Sequence, residues 1–225
     1  MRNKVCLIAL ALLIFLSITV SAQGIVYSSN VNAGKQIALT FDDGPHPRIT
    51  PQILEILDEY GIKATFFVIG VNSKNYPNQL KQIVDGGHEI GNHTYSHKIL
   101  KSMSKEEIEK EILDTEIQVE KITNITPNLL RPPCGIYDET LIEIAQEKDL
   151  KVVLWTVDSH DWSHRTVANI VQNVTKNASN GDILLFHDYV SGEYNTPNAL
   201  RKIIPLLIKQ GYEFVTVSEL LQSAS

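Results

Sequence analysis

Short apolar runs alternate with amphipathic helical patterns along most of the chain, and this alternation constrains the fold more than any other feature. We interpret seven runs as strands: residues 36–41, 64–69, 88–91, 129–131, 151–157, 182–187 and 213–217. Helical patterns cover residues 51–60, 77–86, 104–123, 138–149, 165–178, 197–210 and 218–223. Strands that alternate with helices form parallel sheets, because each helix returns the chain to the edge at which the previous strand began.

The number of these units selects among the parallel architectures. About seven strand–helix units approach the eight of a closed barrel, so we expect an α/β fold, an irregular (β/α) barrel of about seven parallel strands. A doubly wound open sheet is the competing architecture. The sequence contains neither a GxGxxG dinucleotide fingerprint nor a phosphate-binding P-loop. In both architectures the functional site lies at the carboxyl ends of the strands.

The N-terminus has the pattern of a secretory signal peptide. The basic residues Arg2 and Lys4 precede an apolar run over residues 5–20. Cleavage after Ala22 suits the residues at the end of this run. The run is slightly short for a membrane span of about 20 residues, so an uncleaved membrane anchor is the alternative.

This segment divides the chain into three parts. We expect residues 1–22 to be the signal peptide, residues 23–35 a polar linker and residues 36–223 one catalytic domain. The remaining chain is long enough to bury one sizeable α/β core. The division predicts a secreted protein, extracellular or associated with the cell wall.

The charge argues against a nucleic-acid-binding protein, and the cysteine count argues against a disulfide-stabilised one. The net charge is −6, and removal of the basic N-terminal segment lowers it to about −8. A chain this acidic is a poor partner for nucleic acid. Cys134 is the one cysteine after residue 22, so no intrachain disulfide can form there. No pattern indicates a protein partner, and we expect a monomer.

Polar side chains follow five of the predicted strands, at the point where each strand ends. The segments are Asp42-Asp43, residues 92–97, residues 131–135, residues 158–162 and His187-Asp188. Because the carboxyl ends of parallel strands meet at one edge of a sheet, we expect these acids, histidines and arginine to lie close together.

Two of these segments predict a metal site. His93 and His97 are four residues apart, a spacing that allows both imidazoles to reach one ion. A carboxylate from Asp42 or Asp43 could complete a three-residue ligand set of the kind found in catalytic zinc sites. A divalent cation would also compensate the repulsion between these adjacent carboxylates, one of which could remain free as a base.

The polar segments also form an ordered set of five motifs. They are TFDDG at 40–44, HTYSH at 93–97, RPPCG at 131–135, DSHDW at 158–162 and LLFH at 184–187. This set resembles the motifs of the polysaccharide deacetylases, also known as family-4 carbohydrate esterases or NodB-homology domains. The resemblance extends from about residue 36 to residue 221.

The resemblance implies a role for each residue on the metal side of the site. Asp43, His93 and His97 would hold a divalent metal ion, Zn²⁺ or alternatively Co²⁺. Asp42 would be the general base that activates water. Arg131 would pair with this base and orient it.

The resemblance also implies an acid and a pocket. His187 would be the general acid for the leaving amine, and Asp161 would hold it in its protonated form. The backbone N–H of Cys134 would be an oxyanion donor. Trp162 and Leu185 would form the walls of the pocket for the acetyl methyl group, and Cys134 stands where the family often has tyrosine.

The function implied by the resemblance is that of a secreted, metal-dependent de-N-acetylase. Its substrate would be a polysaccharide with N-acetylglucosamine or related residues, such as peptidoglycan or a chitin-like oligomer. Two alternatives are an O-deacetylase of acetylxylan and a non-catalytic carbohydrate-binding pseudoenzyme. The pseudoenzyme alternative predicts a missing motif residue, and none is missing.

Overall fold

A sheet of parallel strands lies at the centre of the protein. The computed structural model describes residues 25–163, 165–189, 192 and 194–223. The strands are β1 Val26–Tyr27, β2 Gln36–Asp42, β3 Thr65–Val68, β4 Glu89–Asn92, β5 Leu129–Leu130, β6 Lys151–Val153, β7 Val157–Asp158, β8 Ile183–His187 and β9 Glu213–Val215. Eight strands follow one path, in the order β1-β6-β5-β4-β3-β2-β8-β7, and β9 pairs with β2 beside it. All these pairings are parallel, so the predicted irregular barrel is confirmed, with eight strands on the path rather than seven.

Part of the segment expected to be a linker forms a strand. Val26 and Tyr27 of β1 pair with Val152 and Val153 of β6. The structure therefore differs from the linker prediction for residues 23–35 at these positions. A two-residue strand leaves almost no periodicity in the sequence, and its partner lies far along the chain, so only the fold reveals the pairing.

Helices connect the strands. Those described are α1 Ile49–Glu59, α2 Gly70–Asn75, α3 Pro77–Asp85, α4 Lys105–Thr123, α5 Glu139–Glu147, α6 Val167–Asn177, α7 Thr196–Lys209 and α8 Val217–Gln222. Ser104 and Glu107 form a capping box at the start of α4. Helix α2 has no counterpart in the sequence patterns, because GVNSKN lacks an apolar stripe. The N–H of Gly70 at its start donates to the carbonyl oxygen of Thr94.

The predicted signal peptide, residues 1–22, lies outside the described residues. Among the helices that the structure does describe, none is both long and apolar enough to cross a membrane.

Strand β2 lies inside the sheet, and its side chains alternate between the apolar core and the polar site. Ile37, Leu39 and Phe41 are fully buried in the main apolar cluster of the protein. Successive side chains of a strand point to opposite faces, so Thr40 and Asp42 lie on the other face of β2. One face of this strand therefore packs the core, and the other face leads to the polar site.

The strand register gathers the predicted site at one edge. Asp42, the last residue of β2, is paired with His187, the last residue of β8. Asn92, the last residue of β4, is paired with Leu130 of β5. The segments that follow these strands therefore begin beside one another.

Candidate active site

Three side chains of metal-ligand type meet at the carboxyl edge of the sheet. Asp43 follows β2, while His93 and His97 belong to the loop that follows β4. The Oδ1 atom of Asp43 lies 3.4 Å from Nε2 of His93 and 3.2 Å from Nε2 of His97. One ligand atom from each residue lies within 4.8 Å of the others, a group that could hold a metal ion.

Left-handed backbone conformations direct two of these side chains. The φ angle is 74° at Asp43 and 56° at His97. Aspartate and histidine are among the few residues other than glycine that adopt this region with some frequency. In a continuing strand, Asp43 would point away from the face that carries Asp42. The turn at Asp43 instead brings both carboxylates to one pocket.

The ring of His93 is held by the main chain. Its Nδ1 lies 2.7 Å from the carbonyl oxygen of Arg131, which can only accept, so Nδ1 donates and carries a proton. The Nε2 atom therefore faces Asp43, as in metal sites in which the second ring nitrogen is fixed by a hydrogen bond. Burial opposes a second proton on this ring, but the two adjacent carboxylates outweigh burial and raise the pKa of His93. The site thus favours positive charge.

The three ligand atoms fit a divalent cation. Two ligands at about 2.0–2.1 Å from a tetrahedral zinc ion are about 3.3–3.4 Å apart, close to the separations of Asp43 from the two histidines. The buried Oδ1 atom of Asp43 has no hydrogen-bond partner among the described residues. Buried carboxylate oxygens normally have a partner, and a bound cation would provide one. Imidazole and carboxylate together suit zinc and similar metals.

The second carboxylate of the pair has a permanent cationic partner. Oδ1 of Asp42 accepts a hydrogen bond of 2.7 Å from Nη1 of Arg131. Arg131 is fully buried, and it also donates to the Thr40 hydroxyl and to the carbonyl oxygens of Val153 and Leu154. A guanidinium with this many acceptors has one orientation, and it compensates the charge of Asp42 within the protein.

A histidine–aspartate pair lies beside Asp42: His187 ends the neighbouring strand β8, and Asp161 belongs to a 3₁₀ turn after β7. Nδ1 of His187 donates to Oδ1 of Asp161 at 2.8 Å, and the His187 N–H donates to Oδ2 at 2.9 Å. The Thr196 hydroxyl donates to the same Oδ2 at 2.7 Å. Burial lowers the pKa of His187, but the hydrogen bond and charge of Asp161, with the two pocket carboxylates, raise it to about 9. The ring is therefore protonated at neutral pH.

These groups surround one pocket with a volume of about 500 Å³. Its lining includes the three predicted wall residues: Leu185, which is buried in β8, Trp162, which is half exposed, and Cys134. The Trp162 indole N–H lies 3.3 Å from both carboxylate oxygens of Asp158, which hold the ring at the rim. Arg131 and Asp161 stand behind the lining and orient residues that reach it.

Cys134 lines the pocket from the turn that follows β5. It is exposed, it has φ 56°, and it belongs to the 3₁₀ turn Pro133–Gly135. Its sulfur is not part of the ligand group that Asp43, His93 and His97 form among the described residues. The side chain therefore contributes to the pocket wall.

Several residues of the site had no predicted role. Trp155, Asp158 and Tyr189 also line the pocket. Asp158 is the first residue of the DSHDW motif, whereas Trp155 and Tyr189 stand in the flanks of motifs, and inclusion of those flanks would have found them. Thr40 and Thr196 support Arg131 and Asp161. Thr40 is a polar residue within a buried strand, which is a usable signal, whereas Thr196 shows none.

Asp188 is another buried acid behind the site. Its Oδ2 accepts a hydrogen bond of 2.5 Å from the Thr50 hydroxyl, and its N–H donates to the carbonyl oxygen of Asp42. A Cβ atom at Gly44 would come within 2.1 Å of this carboxyl, so glycine is required there. Burial raises the pKa of Asp188 to about 7. The residue ties the segment after β8 to the segment after β2.

The family of the protein follows from these features and from one comparison. A family model described as polysaccharide deacetylase matches residues 29–153. This is more than half of the chain, and the chain therefore belongs to the polysaccharide deacetylase family, as its motifs predict. The prediction that the protein is an enzyme of this family is confirmed.

Individual relatives are similar over most of the described chain. The peptidoglycan-N-acetylglucosamine deacetylase of Bacillus cereus is 46% identical over 193 residues, which are 85% of this chain and 90% of the relative. The peptidoglycan-N-acetylmuramic acid deacetylase PdaC of Bacillus subtilis is 43% identical over 83% of this chain, but only 38% of PdaC is covered. The crystal structure of the Bc1960 peptidoglycan N-acetylglucosamine deacetylase, in complex with 4-naphthalen-1-yl-N-oxidanyl-benzamide, has a TM-score of 0.86 and 36% identity, and covers 90% of this chain and 95% of that chain.

Proposed function

We propose that this protein is a secreted, metal-dependent de-N-acetylase of N-acetylglucosamine or related residues in a polysaccharide, such as peptidoglycan or a chitin-like oligomer. One observation carries the proposal: an arginine-paired carboxylate, a three-residue metal-ligand group and a protonated histidine line the same pocket. The names of the Bacillus relatives support peptidoglycan as the substrate class.

The proposed reaction cleaves the C–N bond of the acetamide group. Water adds to the carbonyl carbon, the nitrogen gains a proton as it leaves, and the products are acetate and a sugar with a free amino group. Asp43, His93 and His97 would hold the divalent cation, for which we propose Zn²⁺, with Co²⁺ as the alternative. Such a cation acts as a Lewis acid on the carbonyl oxygen and lowers the pKa of water.

Asp42 is the proposed general base. Arg131 occupies its Oδ1 atom, which leaves Oδ2 for the attacking water. This Oδ2 lies 3.7 Å from Nε2 of His93, directly beside the ligand group. A general base has to be within hydrogen-bond reach of the proton that it removes, and the position of Asp42 meets this condition for a water held at the ligand group.

His187 is the proposed general acid. It faces the same pocket from the strand next to that of Asp42, and it is protonated at neutral pH. Asp161 holds its Nδ1, so the Nε2–H is the proton available to the leaving nitrogen. A base and an acid on neighbouring strands can thus act on the two ends of the C–N bond within one pocket.

The remaining lining would receive the acetyl group. Trp162 and Leu185 provide apolar surface for its methyl group. The N–H of Cys134 is the proposed second donor to the carbonyl oxygen as negative charge develops there. Because this donor belongs to the main chain, cysteine at this position is compatible with catalysis.

The proposal is tested by acetate release from a panel of polymers. The purified protein, loaded with Zn²⁺ or Co²⁺, is incubated with peptidoglycan, chitooligosaccharides and acetylxylan, and Asp42→Asn serves as the matched inactive control. We expect acetate from at least one N-acetylated polymer with the wild-type protein and a large loss with the control. No acetate from any N-acetylated polymer would contradict the proposal, and release from acetylxylan alone would indicate an O-deacetylase.

Secretion rests on the N-terminal pattern and needs a separate experiment. Cell fractionation followed by N-terminal sequencing should find a protein outside the cytoplasm that begins at Gln23. Full-length protein retained in the membrane fraction would instead support an uncleaved anchor.

A further inference from the structure

Glu111 is a buried acid on α4 that the proposed mechanism does not use. The residue is 8% exposed, and ionised carboxylates are rarely buried unless strong hydrogen bonds replace water. Both of its oxygens are bound by one residue: the Ser96 N–H donates to Oε2 at 2.7 Å, and the Ser96 hydroxyl donates to Oε1 at 2.6 Å. Glu111 therefore holds both the main chain and the side chain of Ser96.

Ser96 directly precedes His97, and the two histidines of this loop are held differently. The ring of His93 is fixed by its hydrogen bond to the Arg131 carbonyl oxygen. Among the described residues, no hydrogen bond to Nδ1 fixes the ring of His97. The His97 side chain is also 34% exposed, whereas that of His93 is 2% exposed. Apart from its contacts with Asp43 and the His93 ring, the direction of His97 therefore depends on the backbone before it, which Glu111 holds through Ser96.

Helix α4 also holds the beginning of the same loop. The side-chain amide of Asn92 donates to the carbonyl oxygen of Ile112, the residue after Glu111. The Asn92 side-chain oxygen in turn accepts from the Thr94 N–H at 2.8 Å. Two consecutive residues of one helix thus hold the loop before His93 and just before His97.

We infer that Glu111 is a positioning residue that sets the metal affinity of the site, because it acts through Ser96 on His97. This inference rests on the metal site of the proposed function. A ligand that is not already positioned has to be ordered when the metal binds, and the conformational entropy lost in that step lowers the affinity. Groups that orient metal ligands typically contribute about 10–100-fold to affinity or activity.

The inference is tested by the dissociation constant for Zn²⁺, measured by competition with a chromophoric chelator. Glu111→Gln keeps the size of the side chain but removes its charge, and its NH₂ group has to face either the Ser96 N–H, which can only donate, or the Ser96 hydroxyl, which would have to turn to accept. We expect its Zn²⁺ dissociation constant to rise about 10–100-fold. Ser96→Ala should have a similar effect, and Ser96→Thr, which keeps the hydroxyl, should restore tight binding.

Two controls separate positioning from a general loss of stability. Lys98 is 67% exposed and lies 3.9 Å from Glu111, so Lys98→Ala changes the surroundings of the acid without changing its bonds to Ser96 and should bind Zn²⁺ like wild type. The double variant Glu111→Gln/Ser96→Ala should lose less affinity than the sum of the two single variants, because both substitutions affect the hydroxyl contact between the two residues. The melting temperature of each metal-free variant reports the structural contribution separately.

The inference would be overturned if Glu111→Gln had a Zn²⁺ dissociation constant within about threefold of that of wild type. A lower melting temperature of the metal-free variant would then identify Glu111 as a structural residue. If Glu111→Gln does not fold, unchanged affinity in Ser96→Ala would overturn it equally. A wild-type protein that binds no Zn²⁺ would overturn the metal site itself, a result that is distinguishable from failure of the Glu111 inference alone.

Discussion

Asp161→Asn tests the acid side of the site. The substitution keeps the shape of the side chain but removes the charge that faces the His187 ring. Asp161 accepts from the His187 ring, the His187 N–H and the Thr196 hydroxyl. Asparagine offers one acceptor and one NH₂ group to these three donors. The variant therefore loses both the charge and part of the hydrogen bonding that hold His187 protonated.

The size of the effect expected for Asp161→Asn follows from the pKa of His187. This pKa is raised from 6.5 to about 9, a preference of about 3 kcal/mol for the protonated ring, since one pKa unit corresponds to about 1.4 kcal/mol. Burial opposes the charge and remains in the variant. A cation at Asp43 would offset the contribution of the pocket carboxylates, so Asp161 provides most of the effect in the working enzyme. Loss of an adjacent opposite charge lowers a histidine pKa by about 1–3 units.

The assay is the pH dependence of kcat/KM for acetate release, which reports the ionisations of the free enzyme. We expect the alkaline limb of Asp161→Asn to move down by about 1–3 units, with the greatest loss of activity above neutral pH. Thr196→Val is the matched control: it removes one donor to Asp161 but keeps the charge, and its alkaline limb should stay near that of wild type. A uniform loss of activity with an unmoved alkaline limb would refute His187 as the acid that Asp161 sustains.

The same pair predicts a pH-dependent difference in stability. Below about pH 6.5 the His187 ring is protonated in the folded and the unfolded chain, so the contribution of the pair is fully present. As the pH rises through about 9 the folded protein loses this proton, and the contribution is lost. Urea denaturation of the metal-free protein should therefore show a larger deficit for Asp161→Asn near pH 6 than near pH 10. A deficit that grows with pH would contradict this assignment.

The remaining predictions concern the metal side. Asp42→Asn should keep its metal but lower kcat by about 10²–10⁴-fold, measured by metal analysis and acetate release; wild-type turnover would remove it as the base. Arg131→Met leaves the carboxylate of Asp42 buried without its partner and should lower the free energy of unfolding by about 3–5 kcal/mol, measured by urea denaturation. Asp43→Ala should lose metal and activity together, and metal content equal to that of wild type would exclude it as a ligand.

Most residues that line the pocket, and the two charged residues directly behind it, were predictable in position, because a parallel sheet turns sequence order into position. Asp42, His93, Arg131, Asp161 and His187 each follow an apolar run, and parallel strands bring their carboxyl ends to one edge. The order of the motifs therefore predicted that these side chains lie together, and their proposed roles remain predictions.

Glu111 and Thr196, which hold other residues of the site, could not be predicted, because their contacts join segments that are distant in the sequence. Glu111 lies in KEEIEKEILDTE, in which nothing distinguishes it from the acids around it. Only the packing of the loop after β4 onto α4 makes it buried. Thr196 begins α7, and its role depends on the approach of that helix to Asp161. Strand β1 and helix α2 are likewise defined by partners distant in sequence rather than by their own periodicity.

The adjacent acids at the end of β2 show how one strand end serves two electrostatic functions. Two carboxylates in one apolar setting would normally hinder each other's ionisation. The left-handed turn at Asp43 separates their partners: Asp42 faces the buried guanidinium of Arg131, and Asp43 faces two histidines. The partner of Asp42 belongs to the fold, so this charge is compensated at all times. The proposed partner of Asp43 is exchangeable, so loss of the metal should remove water activation while the base keeps its place.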